Sequence, residues 1–365
     1  SRTALDFRRS PSSQQWAYAD GAGAVPIIGR QNLMLPTLAI TMGDVNGIGP
    51  EILAKALACD AVWKECNPLV VGSSEILERA RAFAPGCPPP RSISEPTVEN
   101  RSSAHVPVLD AGCSAPRLRP GEIDADAGRC AVEWVKFAME LVLSGCADAI
   151  VTCPISKEGI HRAGYHYAGH TELIAEMTNS PDYRMCLFAG KLRIVHITSH
   201  MALRAAIDAV KAARIVSSVR IACSGLKMLG VPNPKIAVAA LNPHAGEAGA
   251  FGDEEATEII PAIEQCRSEA IDCSGPYPAD TVFRRAWQGE FDLVIALYHD
   301  QGHSPAKLVA MDEGVNVTLG IPIIRTSVDH GTAYDIAWKG VARENSLLAA
   351  VELAARFARE RRKGF

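Results

Sequence analysis

The eleven cysteines of this chain are scattered singly and include no CxxC pair, so their spacing supports neither a zinc knuckle nor a disulfide framework, and reduced thiols are expected. Cys146, Cys153, Cys186 and Cys223 lie in apolar stretches that read as core. No apolar run approaches the roughly 18 to 20 residues of a membrane span. The start of the chain lacks a charged segment followed by an apolar stretch and a cleavage site. A cytoplasmic protein with no membrane partner is therefore expected. Basic charge is not in excess either: Lys plus Arg number 37 against 41 Asp plus Glu, which gives no electrostatic reason for a nucleic-acid partner. Tandem repeats are missing, and the one biased stretch, Cys87-Pro88-Pro89-Pro90, reads as a surface loop. The dinucleotide fingerprint GxGxxG is missing as well, because Gly43, Gly47 and Gly49 have another spacing. A standard Rossmann site is disfavoured.

What is present is an apolar chain of ordinary globular composition, 365 residues long, enough for two or three domain-sized units. Residues 1–34 mix Arg, Ser, Gln, Gly and Ala without periodicity and read as a flexible extension or an appended remnant, with Met34 as a candidate first residue. Leu38 to Thr41 then has a buried-strand pattern, followed by a glycine turn over 43–50 and a helix from Glu51 to about Leu57. Strands are expected at 69–71, 106–109, 149–152, 192–198, 236–241, 293–298 and 315–319, and helices at 122–144, 202–229, 253–268 and 344–362. Apolar strands alternating with amphipathic helices predict an α/β protein with a largely parallel sheet covered on both faces. In such proteins ligands favour the carboxyl ends of strands and clefts between domains.

Three histidines sit at or just beyond strand ends: His200, His244 in the stretch 242–247, and His299 in the stretch 298–302. If those strands share a sheet, three neutral imidazoles with an open position suit a catalytic divalent metal, zinc first and magnesium or cobalt as alternatives. For any one of them alone, a strand-end hydrogen bond is the simpler reading. His196 stands four residues from His200, but its Val- and Ile-rich surroundings argue for a strand and a structural role. The stretch 152–158 followed by Gly169-His170-Thr171-Glu172 combines glycine with cationic and hydroxyl donors and suits an anionic substrate, although Thr171 is also placed to cap a helix. Lys307, Asn316 and Arg325 suggest carboxylate or phosphate recognition, with surface salt bridges as the plainer alternative. The loop Asp329-His330-Gly331-Thr332-Ala333-Tyr334-Asp335 is able to cup a nucleotide.

The segments GDVNGIGPE, TCPISKEGI, GHTE, LNPHAGE, PADTVF, YHDQGH and GVNVTLGIPIIRTSVDHGTAYDIA occur in this order, and over residues 36–360 the chain resembles the 4-hydroxythreonine-4-phosphate dehydrogenase family. The resemblance implies a two-domain fold over residues 35–365, like that of isocitrate and isopropylmalate dehydrogenases, with the active site in an interdomain cleft. It implies a homodimer with active sites near the subunit interface. Metal ligands would be His200, His244 and His299, and substrate contacts His170, Thr171, Lys307, Asn316 and Arg325. Asp280 would lie nearby, and Asp280, Lys307 or a metal-bound hydroxide are the alternatives for the general base. His330, Gly331, Thr332 and Asp335 would hold NAD or NADP. The reaction implied is oxidation of a secondary hydroxyl on a small phosphorylated hydroxy acid, with loss of carbon dioxide from the β-keto acid formed. Pro154-Ile155-Ser156-Lys157 and the GDVNGIGP turn depart from the vitamin B6 enzymes and look closer to relatives that oxidise 4-phospho-threonate and 4-phospho-erythronate. A terephthalate cis-dihydrodiol dehydrogenase, which LRIVHIT and GVPNPKIAV resemble, and a metal-dependent aldolase or decarboxylase without nicotinamide stand as alternatives.

Overall fold

The computed structural model describes residues 35–96, 103–110, 113 and 117–363; the extension expected over residues 1–34 lies outside them. Twelve strands form one sheet: β1 Thr37–Thr41, β2 Asn67–Val71, β3 Pro90–Ile93, β4 Val106–Leu109, β5 Ala149–Thr152, β6 Arg184–Ala189, β7 Leu192–His196, β8 Ile236–Ala239, β9 Cys273–Tyr277, β10 Leu293–Ala296, β11 Val315–Leu319 and β12 Ile324–Val328. Their order is β3-β4-β2-β1-β5-β12-β11-β6-β7-β10-β8-β9. The six strands from β3 to β12 run parallel, as do the four from β7 to β9, and the antiparallel pairs β12–β11, β11–β6 and β6–β7 join these two sets. The α/β fold is as the sequence predicts.

The elements form where the local chemistry favours them. Asp124 caps the helix Ala125–Leu143, its carboxylate accepting from the amides of Asp126 and Ala127 at 2.8 and 3.1 Å. That helix buries Trp134 and Met139 completely, and β1, β5 and β10 are buried along their whole length, as strands covered on both faces must be. The span expected as one helix over 202–229 is two, Leu203–Asp208 and Ala212–Met228, and the one over 253–268 opens with a wide turn at Glu255–Ile259 before Ile260–Ser268. The Pro-rich stretch near residue 90, read as a loop, leads straight into the edge strand β3, where proline is tolerated.

Two further expectations are corrected. Cys113 and Cys130 are bonded as a disulfide with Cα atoms 5.6 Å apart; the two stand 17 positions apart in the chain, a pairing that a CxxC spacing rule does not register. Cys153, Cys186 and Cys223 are buried free thiols as expected, whereas Cys146 is partly exposed. Thr171 does not cap a helix: the helix His170–Met177 is preceded by Gly169 and has no side-chain cap, so Thr171 lies within its first turn. Among the described residues, no helix is long and apolar enough to cross a membrane.

The register fixes what faces the same way. Asn316 pairs with Ser327 across β11 and β12, and Arg325 and Ser327 pair with Ile150 and Thr152 of β5. Side chains two apart on a strand share a face, so Asn316, Thr318, Arg325, Ser327 and Thr152 all project from one side of the sheet. The opposite side is closed by the helix Asn345–Arg362, where Thr326 bonds to the carbonyl of Ala350 at 2.9 Å.

Candidate functional site

Strands β7, β10 and β8 are adjacent and parallel, and the chain that leaves them carries His200, His299 and His244 respectively. The sheet thus delivers all three histidines to one edge. His200 and His299 have ring centroids 5.9 Å apart, and both His200 and His244 are exposed. Among the described residues, no three His, Cys, Asp or Glu side chains converge closely enough to hold an ion. The chemistry of the donors nevertheless fits a divalent metal. Nδ1 of His299 lies 2.8 Å from Oδ1 of Asp300, the carboxylate–imidazole arrangement that leaves Nε2 as the ligand atom.

Behind these residues lies a buried histidine pair. His303 stacks on His299 with centroids 3.8 Å apart, and its Nδ1 is 3.1 Å from Nε2 of His196. Burial, reinforced by His303 and His299, pushes the His196 imidazole down to about 3, so it stays neutral. His196, expected to be structural, is buried and also lines the neighbouring cleft.

A cleft of about 480 Å³ is lined by Lys157, Gly169 and Thr171 from the chain that follows β5, and by His196, Ser199 and His200 from the end of β7 and the chain beyond it, with Arg214. Thr171 and His200, predicted separately as substrate contact and metal ligand, therefore share one cavity. A second hollow of about 410 Å³ lies at the amino ends of β1 and β2, near Thr37 and Asn67, and holds none of the predicted residues. The carboxyl ends of the strands are where ligands bind in such sheets, which favours the first.

Arg325 is buried and forms no ion pair among the described residues, the Glu172 carboxylate acting on its charge only at longer range. Its Nη1 donates to Thr318 Oγ1 at 3.1 Å and its Nη2 to Thr152 Oγ1 at 2.9 Å, while Nε is left without an acceptor. Burial lowers the guanidinium to about 10, which still leaves it charged at neutral pH. His170 is close enough to feel that charge: burial first, and then Arg325, hold its imidazole well below the usual histidine range, and its buried Nε2 has no partner. A charged guanidinium and a neutral imidazole, both with unspent hydrogen-bonding capacity, make a pocket for an anion.

Lys307 and Asn316 meet not each other but Asp329. Lys307 Nζ is 2.9 Å from Asp329 Oδ2, and Asn316 Nδ2 donates to Oδ1 at 2.8 Å. Asp329 opens the loop predicted to take a nucleotide. In that loop His330, Gly331 and Asp335 are exposed, and a Cβ on Gly331 would meet nothing within 4 Å, so the backbone presents an open face that fits a flat ligand. The other side of the loop is anchored. The Thr332 carbonyl accepts from the Ile48 amide at 2.9 Å, Tyr334 Oη donates to Asp44 Oδ2 at 2.8 Å, and Trp338 Nε1 donates to the Val45 carbonyl at 2.8 Å. Gly47 in the preceding turn serves this packing: a Cβ there would stand 2.9 Å from Thr332. Burial raises the Asp44 carboxyl above the usual range, opposed by the Tyr334 hydrogen bond.

Asp280 is exposed in the first turn of the helix Ala279–Trp287, which packs beside the turn carrying His244. The sequence reading missed Asp44, Glu255, Gln301, His303 and Asp329. All but Glu255 lie inside the motifs quoted above, whereas Glu255 and Arg214 had no signal at all.

Comparison with known proteins identifies the family. A family model described as pyridoxal phosphate biosynthetic protein PdxA matches residues 64–354. The D-threonate 4-phosphate dehydrogenase of Cupriavidus necator is 44% identical over 328 residues, covering 90% of this chain and 98% of that protein. The crystal structure of a 4-hydroxythreonine-4-phosphate dehydrogenase from Klebsiella pneumoniae superposes with a TM-score of 0.83 at 44% identity, covering 89% of this chain and 99% of that one. A terephthalate 1,2-cis-dihydrodiol dehydrogenase from Burkholderia xenovorans superposes with a TM-score of 0.62 at 29% identity, covering 88% and 98%. On the match across most of its length and on these relatives, the chain belongs to the PdxA family.

Proposed function

We propose that this protein is a divalent-metal-dependent, NAD(P)-linked dehydrogenase that oxidises a secondary alcohol on a small phosphorylated hydroxy acid, of the kind named for its D-threonate 4-phosphate relatives. The observation that carries the reading is Arg325, a buried cation that forms no ion pair among the described residues, beside a neutral His170. A protein keeps such a charge where an anion arrives to meet it. Phosphate offers the acceptor that Arg325 Nε calls for, with Thr171 and Lys157 at the rim of the cleft. Lys307 and Asn316 complete the substrate contacts once released from Asp329.

His200, His244 and His299 would hold the metal, zinc first, and His330, Gly331, Thr332 and Asp335 the nicotinamide cofactor. When bound, these two groups would supply an electrophile for the substrate oxygens and an acceptor for the hydride. The chain itself orients the substrate through Arg325 and His170, and offers Lys307 and Asp280 as groups able to take the hydroxyl proton. The two parallel strand sets would be the two domains, with the cleft between them. A homodimer fits the apolar side chains left exposed near this edge, among them Leu308 at 86% and Met311 at 76%.

The test is NAD(P)H formation with zinc or magnesium on 4-phospho-threonate, 4-hydroxythreonine 4-phosphate and the terephthalate cis-diol, with His244→Ala as control. Metal-dependent turnover of a phosphorylated acid that His244→Ala abolishes is the expected result. Turnover of the cis-diol alone moves the protein to the terephthalate branch. Metal uptake without any oxidation removes the redox assignment.

A further inference from the structure

The stretch from His244 to Ala248 is unusual backbone. Five consecutive residues have positive φ, 52° at His244, 57° at Ala245, 77° at Gly246, 44° at Glu247 and 57° at Ala248. Each non-glycine residue there costs roughly 1 to 2 kcal/mol, so the turn persists only where its surroundings over-determine it.

The determinant is Glu255. It is 4% exposed and has no ion-pair partner among the described residues. Its Oε1 accepts from the backbone amides of Leu241 and Asn242, both at 2.8 Å, and its Oε2 accepts from Asn242 Nδ2, also at 2.8 Å. A buried carboxylate compensated by three donors, two of them backbone, is a rigid clamp. It grips the chain just before the left-handed run begins. Gly246 lets the carboxylate in, since a Cβ there would stand 2.8 Å from Oε2. Gln301 continues the frame: its Nε2 donates to the Ala240 carbonyl and its Oε1 accepts from the Leu297 amide, both at 2.7 Å. It thereby joins the end of β8, from which His244 departs, to the end of β10, from which His299 departs.

We propose that Glu255 is a positioning residue for metal binding, holding the turn that carries His244 in place beside the strand end that carries His299. The proposal rests on the reading of His200, His244 and His299 as the ligands. Outer groups of this kind typically carry about 10- to 100-fold in metal affinity.

The test measures zinc affinity by competition with a chromophoric chelator, together with thermal melting of the metal-free protein. Glu255→Gln keeps the shape but turns a donor toward the Asn242 amide nitrogen. Asn242→Ala, which removes one partly exposed donor and leaves the carboxylate intact, serves if the first variant fails to fold. Zinc affinity lowered about 10-fold or more in Glu255→Gln, and several-fold in Asn242→Ala, with unchanged metal-free melting, is the expected result. Zinc bound as tightly as by the wild type overturns the proposal, and so does a loss that only follows a lowered melting temperature. A wild-type protein that takes up no zinc, or a His244→Ala variant that takes it up normally, overturns the ligand reading itself and this role with it, an outcome distinct from failure of Glu255 alone.

Discussion

Arg325 and His170 illustrate how much a single buried side chain can commit a site to one chemistry. A buried charge without an ion pair costs folding free energy that an apolar side chain of similar length does not, so Arg325→Met is expected to melt at or above the wild-type temperature. Its response to phosphate should vanish. Wild-type protein at about 100 times its Kd for phosphate gains about 2.7 kcal/mol, which a thermal-shift titration reads directly, and the KM for substrate should rise at least about tenfold in the variant. Stability retained together with the phosphate response would remove Arg325 from anion binding. His170 gives a pH signature. Its folded pKa lies below the ordinary 6.5, so the unfolded chain takes up a proton that the folded one refuses. The stability it leaves intact at neutral pH is therefore lost as pH falls below about 6.5, by at most about 1.4 kcal/mol per pH unit. In His170→Asn the slope of unfolding free energy between neutral pH and roughly pH 5 should flatten by about one proton's worth, as denaturant melts at several pH values would show.

The loop from Asp329 to Trp338 depends on another element, the glycine turn after β1. Tyr334→Phe removes the donor to Asp44 Oδ2 and leaves a buried carboxylate oxygen without that partner, at a cost of about 1 to 3 kcal/mol. The KM for NAD(P) should rise more than the KM for the phosphorylated substrate, because the loop moves and Arg325 does not. Steady-state kinetics with each substrate varied in turn would decide it, and an equal rise in both would argue against a separate cofactor loop. This coupling also marks the limit of what the sequence reveals. The strands of β1, β5, β10 and β11 are legible because each is a short apolar run between turns. β12 is not, because Arg325 and Ser327 face the ligand side, and β6 and β9 begin or end on Arg184 and Tyr277, which break the apolar pattern. The same holds for the site. Histidines at the ends of recognisable strands are visible in one dimension, whereas Glu255, Gln301 and Asp329 acquire their roles from partners 13 to 61 residues away in pairs such as Glu255 with Asn242, Asp329 with Asn316 and Gln301 with Ala240.

At the scale of the molecule, the chain crosses between the two parallel strand sets more than once. β1 to β5 build one set, β6 to β10 extend the sheet to the far edge, and β11 and β12 return so that β12 lies beside β5. Arg325 thus lies on β12 in one set, and the histidines that follow β7, β10 and β8 in the other. The helix His299–Ala310 begins with one of those histidines and ends in Leu308 and Val309, followed by Met311, with relative exposures of 86%, 43% and 76%. Large apolar side chains left in water at the end of a helix that starts in the site are costly unless covered, and a second copy of the chain is the cover that the proposed homodimer supplies. Leu308→Glu combined with Met311→Glu places two charges where that contact would form, so sedimentation at micromolar concentration should shift from dimer to monomer. Because Lys307 adjoins the patch and pairs with Asp329, the monomer should also bind substrate more weakly while retaining its zinc affinity. A variant that stays dimeric with unchanged KM would place the subunit contact elsewhere on the surface.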